Sequence, residues 1–228
     1  MKTISVIAIL LISCTVCFSQ SFIIRDLSTL SDRLSYKNNN NEDTYSQNID
    51  GSPYLTKDFI QGEVILNDSF LYKYVPLRYN IYNDKIEFKN NKEQVLEIDN
   101  SKQNGKYKFD DHLFICHNYQ CEGQIKQGIL EQLVDGKVQL YKKYIIKFEP
   151  ATKAAGYQDA KPNRFIRFDD EYLIAIGEDI PEFINKNKKI LFGKLNQFKP
   201  DIGQYAKKEK LNPKSEKDLI HLIEYCNE

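Results

Sequence analysis

Alternating apolar and polar residues dominate the chain between residues 51 and 180. In the clearest run, apolar side chains occupy every second position from Val75 to Ile81, which predicts a strand with one buried face. Pro76 has no amide hydrogen, so this strand is predicted to begin at a sheet edge or a bulge. Asp135-Gly136 favours a type I′ turn between two strands. The predicted strands cover 62–66, 70–82, 86–88, 95–98, 107–109, 113–116, 129–134, 137–148, 165–168 and 172–176.

The apolar period changes from two to that of a helix after Pro181. A helical stripe covers residues 190–198, and a second short helix is predicted from Pro200 to Leu211. The last helix is predicted to begin at Ser215, which has the spacing of a capping box with Asp218. Strands therefore come first and helices last. This order predicts an α+β domain, an antiparallel sheet, roll or partly closed barrel followed by a C-terminal helical unit.

The N-terminus has the pattern of a targeting segment. Lys2 precedes an apolar run, Ile4 to Leu11, that is too short to span a bilayer of about 30 Å. Small residues favour a signal peptide of residues 1–19, cut after Ser19. In the alternative interpretation, Leu11-Ile12-Ser13-Cys14 resembles a bacterial lipobox and Cys14 is lipidated. Both interpretations predict an exported protein, periplasmic or secreted.

Residues 20–50 are polar, include Asn38 to Asn41, and show no apolar period. They are predicted to form a flexible leader before a single domain, 51–228, that is strand-rich over 51–180 and helical over 181–228. No second apolar run is long enough to predict a transmembrane segment in the mature chain.

Composition narrows the class of protein further. The chain is 41% hydrophobic and 12% aromatic, which excludes a disordered chain or a collagen-like fibre. Its 32 basic and 32 acidic side chains balance, and a neutral, lysine-dominated surface argues against a nucleic-acid partner.

Part of the sequence resembles a large set of uncharacterised secreted proteins of Bacteroidetes. The resemblance rests on Gly51-Ser52-Pro53-Tyr54-Leu55, Phe59, Gly62-Glu63-Val64, Tyr72, Val75 to Tyr82 and Glu87-Phe88. It continues more weakly through 135–143, 187–198 and 219–225. The resemblance implies an exported protein of that phylum and brings no known activity, ligand or catalytic residue.

The cysteines allow three interpretations. The mature chain would keep Cys116, Cys121 and Cys226, an odd number for an oxidising compartment. Cys116 and Cys121 are candidates for a disulfide across a hairpin loop, and unpaired or otherwise paired thiols are the second interpretation. In the third, His112, Cys116 and Cys121 bind a metal ion, while His117 points to the other face of the strand.

No motif assigns a catalytic residue or a cofactor. The acidic groups Asp110-Asp111, Asp169-Asp170-Glu171 and Glu178-Asp179 are interpreted as solvated turns, because adjacent acids seldom face each other across a cleft. His221 is interpreted as a packing residue of the last helix.

Tyr72, Tyr74 and Tyr82 form the candidate contact surface, with Tyr79 directed to the core. The predicted function is a non-enzymatic exported binding or scaffold protein of the cell envelope that meets an envelope protein, a peptide or a glycan. The alternative is a hydrolase whose site is built from carboxylates and tyrosines. A third hypothesis places a small apolar ligand inside the barrel.

Overall fold

The computed structural model describes residues 22–30, 49–100, 105–154, 159–184 and 187–228. The predicted signal peptide, the lipidation motif and residues 31–48 of the leader lie outside these ranges. The strands are β1 (Ile23–Arg25), β2 (Ile49–Asp50), β3 (Ile60–Leu66), β4 (Phe70–Asn80), β5 (Lys85–Lys89), β6 (Val95–Glu97), β7 (Gly105–Phe109), β8 (His112–Cys121), β9 (Gln124–Val134), β10 (Val138–Lys143), β11 (Ile146–Glu149), β12 (Asn163–Arg167), β13 (Glu171–Ile176) and β14 (Glu182–Phe183). The helices are α1 (Lys188–Leu195), α2 (Ile202–Lys208) and α3 (Glu216–Asn227).

One large, mainly antiparallel sheet forms the body of the protein. Its strand order is β14-β13-β10-β9-β8-β7-β3-β4-β5-β6, with β1 added in parallel to β4. β14 also pairs with β8, Glu182 opposite Gln120, and this pairing closes a five-stranded barrel from β8, β9, β10, β13 and β14. A small sheet of β11, β12 and β2 lies apart from it. The predicted α+β class, with a partly closed barrel and C-terminal helices, is confirmed.

The main hydrophobic core lies on one face of β3, β4, β5, β7 and β8. The alternation from Val75 to Ile81 places its apolar side chains in this core, as predicted. Tyr74 is the extra residue of a bulge opposite Gly62-Glu63, so Pro76 follows a bulge. The largest fully buried side chains of the core are those of Tyr72, Tyr79, Phe88, Tyr107 and Phe114.

The opposite face of the β4–β5 hairpin buries a polar network. Arg78 donates through Nε and Nη2 to Glu87 Oε2 at 3.0 and 2.6 Å, and Asn80 donates to Glu87 Oε1 at 2.9 Å. The guanidinium lies between the rings of Tyr54 and Phe59, 3.7 and 4.2 Å from their centroids. The segment that follows Gly51 therefore covers this face of the hairpin.

Both ends of the predicted leader pack against the domain. Ile23–Arg25 pair with Phe70–Tyr72 along the free edge of β4, and Leu30 is fully buried in the main core. Ile49–Asp50 pair with β12. The folded part of the chain thus includes residues before Gly51. Ile23 and Ile24 extend the strand ladder, and Leu30 fills the core.

The three helices cover β10 and β13 and form a second core with them. Asn227 fixes the end of α3 to β10, since its side chain accepts from the Val138 amide at 2.9 Å and donates to the Val138 carbonyl at 2.8 Å. Ser215 makes no capping hydrogen bond, so the predicted capping box is wrong; Asp218 instead accepts from the amide of Asn212. His221 is exposed on α3, contrary to its predicted packing role. Within the described ranges, none of the helices has both the length and the apolarity needed to cross a bilayer.

Candidate functional site

A buried lysine gathers acidic side chains from three separate parts of the chain. Lys142, on β10, is 9% exposed. Its Nζ lies 2.7 Å from Glu216 Oε2 at the start of α3, 3.6 Å from Glu131 Oε2 on β9 and 3.8 Å from Asp170 Oδ2 before β13. Lys142 points out of the barrel, toward the helices, because it pairs with Glu131 and Tyr172 on the face that carries the second core. This group is the Lys142 cluster.

Hydrogen bonds complete the Lys142 cluster. Tyr144 donates to Glu131 Oε2 at 2.6 Å, and His112 Nδ1 lies 2.5 Å from Glu131 Oε1. Tyr172 donates to Glu216 Oε2 at 2.8 Å, and Arg167 forms an ion pair with Asp170. Both carboxylate oxygens of Glu131 therefore have partners, as a buried charge requires.

The environment moves the pKa values of two acids in opposite directions. Burial raises the pKa of Asp170, and the nearby Arg167 and Lys142 cations only partly offset this. Burial also raises the pKa of Glu216, but hydrogen bonds from Lys142 and Tyr172 outweigh it and leave this pKa below its usual value. Such divergence of two carboxyl groups is typical of functional sites as well as of structural ion networks.

The two tyrosines of the Lys142 cluster remain protonated donors. Burial raises the pKa of Tyr144 and of Tyr172, and the hydrogen bonds to Glu131 and Glu216 raise both further. Neither hydroxyl is therefore activated as a nucleophile at neutral pH.

A cleft of about 500 Å³ opens beside the Lys142 cluster, between the start of β13 and the start of α3. Asp170 and Tyr172 belong both to the cluster and to the wall of this helix–sheet cleft. Its other lining residues are Asp169, Ile184, Pro213, Lys214 and Leu219. The cleft thus combines an apolar floor with acidic and basic groups, and its polar wall is fixed by the cluster behind it.

The predicted disulfide does not form. Cys116 and Cys121 lie on the single strand β8, where Cys116 pairs with Ile129 and Cys121 with Gln124. Five residues of extended chain span about 16 Å, whereas a disulfide holds its two Cα atoms within about 7 Å. Both thiols are free, and so is that of Cys226.

The metal interpretation also lacks a site. His112 and Cys116 lie on the face of β8 opposite to that of Cys121 and His117, so the three predicted ligands cannot converge. Among the residues that the structure describes, no group of three or more His, Cys, Asp or Glu side chains is arranged to hold a metal ion.

The predicted tyrosine surface is only partly exposed. Tyr72 is fully buried in the main core, so its assignment to a contact surface is wrong. Tyr74 is 80% exposed at the β4 bulge, and Tyr82 is 41% exposed against the rings of Phe148 and Phe165. Tyr74 and Tyr82 lie eight residues apart along and beyond β4, about 26 Å of extended chain, and do not form one patch.

The interior of the barrel is filled by its own side chains, as in other small barrels. These are Ile115, Tyr119, Leu130, Tyr141, Leu173 and Ala175, all buried. This packing argues against the hypothesis of an apolar ligand inside the barrel.

The acidic turns divide into two kinds. Asp110-Asp111 and Glu178-Asp179 are exposed, and the first pair has positive φ, in agreement with solvated turns. Asp170 differs, because it is half-buried in the Lys142 cluster. Sequence reasoning missed Glu131 and Lys142; the available signal was a charged residue within each of two apolar strand runs, at 129–134 and 138–146.

The fold and the cleft define a β-rich domain with a closed five-stranded barrel, a helical cover and an ionic cluster under an open surface cleft. No family model, curated protein or solved structure matches the chain.

Proposed function

We propose that the protein is exported and acts as a non-enzymatic binding protein of the cell envelope, holding a peptide segment of another envelope protein in the helix–sheet cleft. The observation that carries this proposal is the helix–sheet cleft itself. Its polar wall is preorganised, because Asp170 and Tyr172 are held by the hydrogen bonds and ion pairs of the Lys142 cluster behind it. Ile184 and Pro213 are partly exposed and offer contacts for an apolar side chain, and the exposed carboxylate of Asp169 suits a basic one.

Site-specific photo-crosslinking in cells that express the chain natively tests the cleft. A photo-reactive amino acid replaces Lys214 at the cleft or, as the control, Lys92, which is exposed in the turn between β5 and β6, at the opposite end of the large sheet from β13 and β14. We expect a discrete crosslinked protein from position 214 only, and its loss when Asp169→Lys is added. Identical products from both positions, or none from position 214, would contradict binding at the cleft.

Export is tested separately on the protein purified from its native cells. Mass spectrometry of the N-terminal peptide should find Gln20 at the terminus, or a diacylated Cys14 in the lipoprotein alternative. A cytoplasmic chain that retains Met1 would refute export.

The second candidate function is a hydrolase, and the opposite pKa shifts of Asp170 and Glu216 favour it. Oxygens of the two carboxylates lie 3.8 and 2.7 Å from the same Lys142 Nζ, so the pair falls within the upper limit of about 9.5 Å for glycosidase acids. Asp170 would protonate a leaving group. Binding is preferred, because the base, Glu216, already accepts from Lys142 and Tyr172.

Release of 4-nitrophenol from a panel of 4-nitrophenyl glycosides distinguishes the two functions. Turnover by the wild-type protein that is lost in Asp170→Asn would establish the hydrolase. Absence of turnover across the panel, with crosslinking at position 214 intact, would favour the binding protein.

A further inference from the structure

A second concave surface lies between α1 and α2, on the helical unit. This groove measures about 570 Å³, and the exposed residues Lys188, Lys207 and Lys210 are among those that line it. We call it the basic groove. Asn212 lines the basic groove and the next residue, Pro213, lines the helix–sheet cleft, but the two share no lining residue.

The charge of this part of the molecule departs from that of the whole chain. The protein has 32 basic and 32 acidic side chains, yet residues 187–211 hold seven lysines and two acids. The lysines are Lys188, Lys189, Lys194, Lys199, Lys207, Lys208 and Lys210, and the acids are Asp201 and Glu209. A neutral chain therefore presents a locally cationic surface.

The lysines of the basic groove are not neutralised from within. Lys194 pairs with Glu182, and Lys208 lies 3.6 Å from Glu209. Lys188, Lys207 and Lys210 are exposed and have no acidic partner in the part of the chain that the structure describes. Their charges are available to an anionic ligand.

The floor of the basic groove is apolar. Phe192, Ala206 and Leu211 line it between the lysines. Ala206 is buried and the other two are only partly exposed, so together they offer little apolar surface for insertion into lipid. The outward face of α1 has no continuous apolar stripe to insert into lipid either, because Lys189 and Gly193 flank Ile190 there.

We propose that the basic groove binds an acidic peptide segment of a partner protein. Carboxylates of the segment meet Lys188, Lys207 and Lys210, and an apolar side chain between them packs on Phe192 and Leu211. Charge complementarity sets the class of partner, and the concave apolar floor favours a peptide over a membrane. This site stands apart from the helix–sheet cleft and does not depend on the function proposed for that cleft.

Fluorescence anisotropy with a labelled peptide of alternating Glu and Leu residues tests the proposal on the mature protein. The control peptide carries Gln in place of every Glu. We expect the Glu peptide to bind and the Gln peptide to bind about tenfold or more weakly, because only the Glu peptide can form ion pairs with the lysines. Binding should weaken when NaCl rises from about 50 to about 500 mM, because the Debye length shrinks.

Charge-reversal variants locate the site. Lys207→Glu/Lys210→Glu should weaken binding of the Glu peptide by about tenfold or more. Lys108→Glu/Lys126→Glu, which changes the net charge equally at exposed strand positions, should leave it unchanged. Asp169→Lys should also leave it unchanged, which separates the groove from the cleft. Circular dichroism confirms that each variant is folded.

Three results would overturn the proposal. Equal binding of the Glu and Gln peptides would remove its charge basis, and an equal loss in the control variant would remove its location. Binding to phosphatidylglycerol vesicles without binding to the Glu peptide would assign the groove to an anionic membrane instead.

Discussion

The buried pair of Arg78 and Glu87 offers a direct test of how the β4–β5 hairpin is stabilised. The two residues are 7% and 1% exposed. Arg78→Met keeps an unbranched apolar stem but removes the guanidinium. Both hydrogen bonds to Glu87 Oε2, the bond to the Lys57 carbonyl and the stacking on Tyr54 and Phe59 are then lost. Glu87 then retains only the bond from Asn80, and its charge stays buried.

An uncompensated buried charge determines the size of the effect. Loss of one partner of a buried ion pair costs about 3–5 kcal/mol, against a total stability of about 5–15 kcal/mol for a typical domain. Arg78→Met should therefore lower the free energy of unfolding by about 3–5 kcal/mol. Adding Glu87→Leu removes the stranded charge, and the double variant should recover at least half of that loss.

Urea unfolding followed by circular dichroism measures these differences. Lys106→Met is the matched control, because Lys106 pairs with Asp68 at 2.6 Å but on the exposed surface, and its loss should cost less than about 1 kcal/mol. The reasoning is refuted if Arg78→Met unfolds within about 1 kcal/mol of the wild type, or if Glu87→Leu adds to the loss.

Three further predictions concern packing, pH and thiols. Gly62→Ala should lower stability in thermal melts by about 1–3 kcal/mol, because its Cβ would lie 2.5 Å from the Lys108 carbonyl oxygen. Gly203→Ala in α2 has open space around it and should raise stability by up to about 1 kcal/mol. Equal shifts in the two variants would contradict this explanation. Glu216→Gln should lower the urea midpoint at pH 7, and the difference from the wild type should disappear as the pH falls below 4.5. The pKa of Glu216 is lower in the folded state than its unfolded value of 4.5, so its stabilisation is present above that value and is lost in acid. A difference independent of pH would argue against the cluster. Burial raises the pKa of Cys116 and of Cys226 to about 11, so both thiols should react slowly with iodoacetamide in the native protein. Intact mass spectrometry should show this slow modification, and complete modification in urea. Rapid modification of the native protein would be inconsistent with the fold.

Local sequence patterns predicted the elements of the fold better than their connections. The hairpin at Asp135-Gly136 forms between β9 and β10, but only Gly136 has positive φ, so the turn is not of type I′. The predicted strand 137–148 is divided at Tyr144 between β10 of the large sheet and β11 of the small one. The strands predicted at 165–168 and 172–176 both form, but they do not pair with each other, because β12 and β13 belong to different sheets. A period of two residues reports which face is buried, but not which strand lies alongside.

The candidate site could not be predicted for the same physical reason. Lys142 meets Glu216 across 74 residues of chain and Glu131 across a bulged strand pair, and neither contact leaves a local pattern. The Cys116–Cys121 segment shows the opposite error: a loop was expected where alternation continues into one long strand. A charged residue at a core-facing position of a strand is the one local sign of such a cluster.

The β4–β5 hairpin shows how a run of polar residues can serve the fold and not a ligand. Arg78 and Asn80 both donate to Glu87 beneath the rings of Tyr54 and Phe59, so these polar side chains build the hairpin and are not open to a ligand. Asp169 of the helix–sheet cleft and Lys207 of the basic groove are exposed instead. Exposure, and not polarity alone, therefore separates candidate binding residues from residues that hold the scaffold.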